Sequence, residues 1–336
     1  MSTIKKITVL GDGSWGTTIA LMLHKKGFEV RLWGAFADYV SQVKAARESD
    51  RFLPGIKIPE DILVTSDIGE ALGGSSIIIL AIPSQYLRET LKKINKDKLI
   101  LRDKLYVSVV KGLEDGTFKR PSEIIKDEIG SENIVVLSGP TIAKEVADGL
   151  PTSAVAASGN KDNAKLVQDI FISDLFRVYT SDDVVGVELG GAFKNIIAIA
   201  AGISDGLGFG ANAKAALFTR GLVEIKRMGV ALGAKQETFD GLSGTGDLLT
   251  TCVSKQSRNR FVGEEIAKGS KLSEVLDKMT MVAEGIETSK SVYNLITKMG
   301  IDAPITTEVY RVLFENKDPL SAVGELMTRT RRTETE

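Results

Sequence analysis

Proton transfer in this chain depends on lysine or carboxylate side chains, because the sequence contains a single histidine, His24, and a single cysteine, Cys252. A Ser–His or Cys–His catalytic pair would have to use His24. That histidine lies beside Lys25 and Lys26 near the end of the first predicted helix, where a basic side chain complements the helix dipole. None of the six tyrosines is followed by a lysine four residues later. A zinc site of Cys and His ligands cannot be assembled, so we expect no metal.

Lys194 is the strongest candidate for a proton-transfer group. It lies on a predicted helix, Val187–Ile203, and helical spacing gives it a face whose other members are small or apolar. Such a lysine is desolvated, which lowers its pKa toward the range of a general base. Gly190 and Gly191, one turn earlier, would leave room for a ligand. The alternative is a lysine that extends from a core helix to water. Asn195 beside it could cap locally or orient a substrate.

A glycine-rich loop follows the first predicted strand. Gly11, Gly13 and Gly16 form the G-x-G-x-x-G pattern, between a strand-like and a helix-like run. In a dinucleotide site such glycines permit a tight turn, close approach of the pyrophosphate and close helix–strand packing. The alternative is an ordinary turn. The second predicted strand ends with neither an acidic residue nor an arginine at Trp33–Phe36, so the choice between NAD and NADP stays open.

An anion site is indicated by the segment QSRNR. Ser257, Arg258 and Asn259 offer a hydroxyl, a guanidinium and an amide close together, a combination that suits a phosphate. The alternative is an exposed helix start. Asp247, just after a glycine-rich segment, could be a helix N-cap.

Two further polar segments follow neighbouring predicted strands. Lys111 comes directly after Leu105–Val110, and the segment Ser138–Glu145 follows the next strand. In open parallel sheets, ligands bind beyond the carboxyl ends of the strands. Lys111 is therefore a candidate ligand-binding residue, whereas the second segment could equally be a turn built on Gly139-Pro140.

The elements that would position these residues form an α/β pattern. Short runs of Ile, Val and Leu alternate with amphipathic stretches over residues 1–182, which predicts an N-terminal Rossmann-type, doubly wound parallel sheet. The predicted strands are Ile7–Leu10, Val30–Trp33, Ile77–Ile82, Leu105–Val110, Ile134–Leu137, Ala154–Ala157 and Phe176–Tyr179. The predicted helices of this half are Ser14–Lys26, Phe36–Ser49, Gln85–Lys93, Pro121–Ile129 and Lys161–Phe171.

Residues 183–336 carry helical periods and few strand signals, so we expect an all-α C-terminal domain that binds substrate. Its predicted helices are Val187–Ile203, Ala211–Leu232, Gly263–Lys268, Leu272–Lys278, Ile286–Lys298 and Thr306–Glu315.

The amino-acid composition gives no support for a nucleic-acid-binding or membrane-inserted protein. The 336 residues carry 43 basic and 44 acidic side chains, so net charge gives no argument for nucleic acid or an anionic membrane. The longest apolar stretch, Ile196–Ile203, is shorter than a membrane helix needs. We therefore expect a cytoplasmic protein without membrane insertion.

In combination, these blocks resemble the soluble NAD(P)-dependent glycerol-3-phosphate dehydrogenases, from about Ile7 to Phe314. The blocks that carry the resemblance are GDGSWG at Gly11, KGLE at Lys111, SGPTIAKEVADGLPT at Ser138, GVELGGAFKNIIAIAAGISDGLGFGANAKAAL at Gly186, GLSGTGDLLTTC at Gly241, QSRNR at Gln256 and VAEG at Val282. The blocks around Lys194 and Arg258, in this order, are much more specific than the glycine loop.

The resemblance implies reversible conversion of dihydroxyacetone phosphate and sn-glycerol 3-phosphate for phospholipid synthesis, usually by a homodimer. It implies that Lys194 is the proton acceptor, with Asn195 and Thr251 lining the same site. The residues that it implies for substrate are Lys111, Gly139, Thr141, Asp247, Ser257, Arg258 and Asn259. The residues that it implies for the nucleotide, besides the glycines, are Ser14, Trp15, Lys111, Ala143, Arg258, Val282 and Glu284.

One position departs from the family pattern: Ala35 stands where Arg or His is common beside the adenosine ribose. This argues against a strong preference for NADP. Our mechanistic hypothesis is that Lys194 exchanges the proton, Lys111 supports the developing alkoxide and Asp247 orients Lys194. The alternatives are a β-hydroxyacid or 6-phosphogluconate type dehydrogenase and a non-catalytic dinucleotide sensor.

Overall fold

The computed structural model describes residues 6–96, 102–331 and 333–334. The elements of the N-terminal half are β1 Lys6–Leu10, α1 Ser14–Lys25, β2 Glu29–Trp33, α2 Ala37–Ala46, β3 Glu48–Ser49, β4 Leu53–Lys57, β5 Leu63–Thr65, α3 Ile68–Leu72, β6 Ile77–Leu80, α4 Ser84–Lys96, β7 Leu105–Ser108, α5 Pro121–Ile129, β8 Ile134–Ser138, α6 Ala143–Ala147, β9 Thr152–Ala157, α7 Lys161–Phe171 and β10 Phe176–Ser181.

The C-terminal half is helical. Its elements are α8 Val184–Gly206, α9 Ala211–Ala231, a 3₁₀ turn Gln236–Asp240, a π-helical turn Leu242–Gly246, α10 Asp247–Val253, α11 Arg258–Ala267, α12 Leu272–Lys278, α13 Glu284–Met299, α14 Pro304–Phe314 and α15 Pro319–Met327. The predicted order, a doubly wound α/β half followed by a helical half, is confirmed.

The main sheet has the strand order β10-β9-β8-β7-β6-β1-β2-β5. Strands β6 and β7 are buried at every residue, because helices cover both faces and continuous apolar runs satisfy such strands. The parallel register places Leu10 opposite both Trp33 and Leu80, and Leu80 opposite Ser108. The loops that follow these strands therefore emerge side by side at one edge.

The sheet is mixed, which corrects the prediction of an all-parallel sheet. Strand β9 pairs antiparallel with β8, with Val136 opposite Ala157, and β10 then runs parallel to β9. The connection from β8 to β9 contains only the short helix α6. Thr18 of α1 donates a hydrogen bond to the Ala143 carbonyl at the start of α6, so this connection stays near the glycine loop instead of crossing a face of the sheet.

Helix α8 is the core of the helical half. Asp183 caps its first turn by accepting a hydrogen bond from the Gly186 amide at 2.9 Å. By length and composition α8 could cross a membrane, but 83% of its apolar window is buried inside this molecule. Helix α11 packs directly on its backbone: a Cβ at Gly202 would lie 1.9 Å from the Arg260 carbonyl oxygen, and one at Gly263 would lie 2.0 Å from that of Ile199. This packing fixes the start of α11 relative to the middle of α8.

Candidate active site

Two lysines share one buried carboxylate at the junction of the two halves. Lys194 on α8 places its Nζ 3.0 Å from Oδ1 of Asp247, and Lys111, just beyond β7, places its Nζ 2.6 Å from Oδ2. Asp247 is 2% exposed and Lys194 is 6% exposed. The apolar helix face thus holds Lys194 in the interior, as its sequence pattern predicts, and the lysine does not reach bulk water.

Close backbone contacts explain this arrangement. A Cβ at Gly190 would lie 2.6 Å from the Ser243 carbonyl oxygen, so only glycine lets the segment before α10 approach α8. A Cβ at Gly191 would lie 2.9 Å from the Ser138 hydroxyl and 3.4 Å from Cγ of Lys111. The expectation that these glycines leave room for a ligand is therefore wrong: the space is taken by protein, which brings Asp247 and Lys111 to Lys194.

The electrostatics of the cluster suit proton exchange. Burial lowers the pKa of Lys194 to about 8; Asp247 opposes this change and Lys111 adds to it. Burial would raise the pKa of Asp247, but the two lysines outweigh it and hold that pKa below its ordinary value. Asp247 therefore stays ionised near neutral pH, while Lys194 can gain or lose a proton.

The Lys194 ammonium also donates a hydrogen bond to the Thr251 hydroxyl. Thr251 Oγ1 in turn lies 3.3 Å from Oδ1 of Asp247, to which it donates. An ammonium has three donors, and Asp247 and Thr251 take two of them. One donor direction is left for a substrate oxygen.

Asn195 and Asn259 form a buried amide pair beside the lysines. Nδ2 of Asn259 donates to Oδ1 of Asn195 at 2.8 Å, and the Gly285 amide donates to Oδ1 of Asn259 at 2.9 Å. Nδ2 of Asn195 donates to the Lys111 carbonyl at 3.4 Å. These bonds tie α8, α11 and α13 together, so both side chains position the site in addition to any contact with substrate.

The start of α11 offers donors for an anion. The Ser257 hydroxyl caps the helix by accepting a hydrogen bond from the Arg260 amide at 3.2 Å. The Arg258 guanidinium donates to the Val282 carbonyl at 2.8 Å. A helix N-terminus with an adjacent arginine is a favourable place for a phosphate. The hydrogen bond between Asn259 and Asn195 connects this helix start to α8, where Asn195 directly follows Lys194.

Gly139 and Thr141 lie on the same side of the cluster. Lys111 Nζ donates to the Gly139 carbonyl at 3.0 Å, and the Thr141 hydroxyl donates to the same oxygen at 3.2 Å. Gly139 has a φ of 147°, which only glycine adopts without strain. The segment after β8 thus orients Lys111.

The glycine loop has the geometry that a dinucleotide pyrophosphate requires. Gly11 has a φ of 119°, and a Cβ at Gly16 would lie 1.9 Å from the Gly11 carbonyl oxygen. Gly13, the N-cap of α1, has nothing within 4 Å of an added Cβ, and no side chain caps the helix. Open space above the free amides of a helix start fits a phosphate group.

Ser14 and Trp15, which are also predicted to contact the nucleotide, lie in the first turn of α1, directly after Gly13. The Ser14 hydroxyl donates to the Phe52 carbonyl at 2.7 Å and lies 3.6 Å from the sulfur of Met281. Trp15 is partly buried against the sheet core. Burial raises the pKa of Glu284 above its ordinary value, although the positive charges of Arg258, Lys194 and Lys111 act in the opposite direction.

One segment before and at the start of α13 links all of these groups. Met281 contacts Ser14 in the glycine loop, the next residue, Val282, accepts from Arg258, and Glu284 interacts electrostatically with the lysine pair. The predicted nucleotide, anion and lysine sites are therefore connected along one region between the two halves, which we call the cleft. His24 lies outside it, in the last turn of α1.

Comparison with known proteins assigns this chain to a family. Residues 6–164 match the model described as NAD-dependent glycerol-3-phosphate dehydrogenase N-terminus, and residues 183–324 match the model of the C-terminus. The chain belongs to the NAD-dependent glycerol-3-phosphate dehydrogenase family. It is an oxidoreductase of a class that uses NAD or NADP.

Individual relatives agree over almost the whole chain. A glycerol-3-phosphate dehydrogenase [NAD(P)+] from Chlorobium phaeobacteroides is 50% identical over 332 residues, 98% of this chain and 99% of the relative. One from Geobacillus thermodenitrificans is 49% identical over 334 residues, 98% of this chain and 97% of the relative. The crystal structure of a glycerol-3-phosphate dehydrogenase from Coxiella burnetii has a TM-score of 0.92 at 40% identity, covering 97% of this chain and 99% of that one.

Two buried polar groups of the cleft were not among the predicted site residues. The hydroxyl of Ser138, between Gly191 and the end of β8, and Oδ2 of Asp12, in the glycine loop, have no hydrogen-bond partner within the described part of the chain. Neither follows from a local pattern, because the unpaired state arises only when distant backbone segments pack against them.

Proposed function

We propose that this chain catalyses the reversible, NAD(P)-dependent interconversion of dihydroxyacetone phosphate and sn-glycerol 3-phosphate, which supplies phospholipid synthesis. The observation that carries the proposal is the buried Lys194–Asp247–Lys111 cluster, in one cleft with a glycine loop and with an anion-binding helix start. The relatives named above are glycerol-3-phosphate dehydrogenases by name, which supports glycerol 3-phosphate as one of the two substrates.

The dinucleotide would be held by the loop Gly11–Gly16, with Ser14, Trp15, Ala143, Val282 and Glu284 around it. When bound, its nicotinamide supplies or accepts the hydride. The free amides at the start of α1 neutralise pyrophosphate charge. Among the described residues, no cluster of three His, Cys, Asp or Glu side chains could hold a metal ion, and the proposed chemistry assigns none.

Lys194 exchanges the proton at the substrate oxygen. In the reductive direction its ammonium donates to the oxygen that becomes the hydroxyl, and in the oxidative direction the neutral amine accepts that proton. A pKa of about 8 makes both forms accessible near neutral pH. Lys111 stays next to Asp247 and stabilises negative charge on the same oxygen.

Substrate phosphate would be held at the start of α11 by Ser257, Arg258 and Asn259. The backbone contact between α11 and α8 gives this anchor a fixed distance from Lys194. Binding energy from the phosphate can then position the carbonyl for reaction. Thr141, Gly139 and Asn195 complete the proposed substrate pocket.

The division into a nucleotide-binding domain, residues 1–182, and a substrate-binding domain, residues 183–336, is part of the proposal, as are a homodimer and a cytoplasmic location. The domain roles rest on the placement of the glycine loop and of α11. The homodimer rests on the family resemblance, and light scattering of the purified protein tests it. The burial of α8 agrees with a protein that does not insert into a membrane.

The direct test is an absorbance assay at the nicotinamide band, with dihydroxyacetone phosphate and NADH or NADPH in turn. We expect oxidation of the nucleotide that depends on this substrate and not on β-keto acids. Turnover only with hydroxyacids or keto acids would assign a different dehydrogenase activity. Nucleotide binding without turnover on any of these would indicate a sensor and would refute the proposal.

A further inference from the structure

The tip of β2 lacks the acidic side chain that usually holds the adenosine ribose of NAD in a Rossmann fold. The strand ends at Trp33, and the next two residues, Gly34 and Ala35, offer no hydrogen-bonding side chain. The neighbouring glycine loop, however, contains an acidic residue, Asp12, between its first two glycines.

The Asp12 carboxylate lies against the tip of β2. A Cβ at Gly34 would be 2.1 Å from Oδ2 and 2.5 Å from Cγ of Asp12. Any residue other than glycine at position 34 would therefore collide with the carboxylate. Oδ2 is buried, and no donor among the described residues reaches it. The carboxylate thus lies next to the tip of β2, although it comes from the loop.

An ionisable oxygen without a donor is energetically unfavourable in the absence of a ligand. Burial raises the pKa of Asp12 to about 6, while its own backbone amide and Arg51 lower it. The group is therefore mostly ionised at neutral pH and can accept hydrogen bonds. Asp12 as a residue is only partly buried, and the two hydroxyls of a ribose are donors of the kind that this carboxylate lacks.

We propose that Asp12 accepts hydrogen bonds from the adenosine ribose hydroxyls of NAD(H) and thereby makes this enzyme prefer NAD(H) over NADP(H). In NADP(H) the 2′-hydroxyl is replaced by a phosphate, which cannot donate and which brings two negative charges to an existing carboxylate. Ala35 supplies no cation to offset that repulsion. This inference rests on the proposed dinucleotide site.

Arg51 is the cation whose charge acts on Asp12, so it is the group that could favour a 2′-phosphate instead. Its guanidinium is already engaged: Nη2 donates to the Thr280 carbonyl at 3.0 Å, and the guanidinium lies 5.1 Å from the centroid of the Phe52 ring. These contacts hold Arg51 toward the segment before α13, and the carboxylate remains the group at the strand tip.

The test measures binding, not turnover. Both tryptophans of the chain, Trp15 and Trp33, lie at this edge of the sheet, so energy transfer to the reduced nicotinamide reports the Kd of NADH and NADPH. The wild type should bind NADH about tenfold or more tightly than NADPH, the scale of one hydrogen bond to a charged group. Asp12→Asn, which keeps the shape and removes the charge, should weaken NADH binding about tenfold and reduce the preference to within about threefold.

Asp12→Ala serves as the second variant if the amide disturbs the loop, and it should show the same loss of preference. Asp61→Asn makes the same charge change at an exposed position of the same half and should leave both Kd values unchanged. Equal binding of the two nucleotides by the wild type, a preference for NADPH, or a preference that survives both Asp12 variants would overturn the inference. Failure of the wild type to bind either nucleotide would refute the proposed function itself, and this inference with it.

Discussion

Replacing Asp247 by asparagine should shift the pH dependence of catalysis, because this carboxylate sets the proton affinity of Lys194. The Nζ–Oδ1 distance is 3.0 Å, and at an effective dielectric constant of about 20 such a pair is worth roughly 5 kcal/mol. A neighbouring opposite charge typically changes a pKa by about 1 to 3. In Asp247→Asn we therefore expect the pKa of Lys194 to fall from about 8 to between about 5 and 7.

The sign of the effect differs between the two directions of the reaction. Reduction needs protonated Lys194, so the wild-type kcat for reduction should fall as the pH rises through about 8, and in Asp247→Asn this fall should occur at least about one pH unit lower. Near pH 7.5 a variant pKa in the middle of that range, about 6, would make reduction about 25-fold slower, and the two ends of the range would give about 3-fold and about 240-fold. Oxidation needs the neutral amine, so its rate should rise over the same interval.

The assay is kcat for dihydroxyacetone phosphate reduction, measured from about pH 5.5 to 10 in both proteins. Asp240→Asn is the matched control, because Asp240 pairs with Lys226 at 2.6 Å on the surface of the helical half. Its profile should coincide with the wild type. An Asp247→Asn enzyme whose reductive kcat still falls near pH 8 would refute the reasoning that this carboxylate controls Lys194.

Three further predictions concern the phosphate anchor, its positioning and the junction between the halves. Arg258→Ala should chiefly raise the KM for the phosphorylated substrate, because the guanidinium is proposed to hold its phosphate. Gly202→Ala should raise the same KM and lower the free energy of unfolding by about 1 to 3 kcal/mol, because the added Cβ would collide with the backbone of α11. The control is Gly324→Ala, which should change neither quantity, because its Cβ meets nothing within 4 Å. Arg120→Met should lower the free energy of unfolding by about 3 kcal/mol, because it leaves the buried Glu188 carboxylate without its 2.6 Å partner.

Steady-state kinetics and urea denaturation check these three. An unchanged KM in Arg258→Ala would place the phosphate elsewhere. Equal effects of the two glycine variants would show that helix propensity, not the contact with α11, is responsible. An Arg120→Met protein as stable as the wild type would show that the ion pair contributes little beyond the Ser122 hydrogen bonds to Glu188.

The elements with strong periodicity could be predicted closely from the sequence. Pro121–Ile129, Lys161–Phe171 and Leu272–Lys278 have the predicted bounds, because apolar spacing and N-terminal capping signals coincide there. Helix α8 begins at Val184, three residues earlier than predicted, since Asp183 caps it.

Other elements carry no such signal. Helix α11 begins at Arg258, not at the predicted Gly263, because its first turn is polar and faces the site. Helix α10 begins at Asp247 after a π-helical turn. The alternative role of Asp247, that of an N-cap, does not apply, because Gly246 is the N-cap and the Asp247 side chain binds two lysines. The antiparallel direction of β9 depends on the path of the preceding connection, which local composition does not encode.

For the candidate site, the sequence predicted which residues take part better than it predicted which residues contact each other. The apolar face around Lys194 predicts its burial correctly, because helical spacing is a local property. The partners of that lysine, Asp247 and Thr251, come from more than fifty positions away along the chain, and only the close approach permitted by Gly190 brings them together. The unpaired oxygen of Asp12 is equally a product of tertiary packing.

The most direct test of the central claim is the turnover of Lys194→Met, which keeps a long apolar side chain in the wall of the cleft and removes the amine. With NADH binding unchanged in the fluorescence titration, we expect kcat for dihydroxyacetone phosphate reduction to fall by about 10²-fold or more, the scale of a positioned acid–base group. A Lys194→Met enzyme that binds NADH normally and turns over at close to the wild-type rate would show that another group carries the proton.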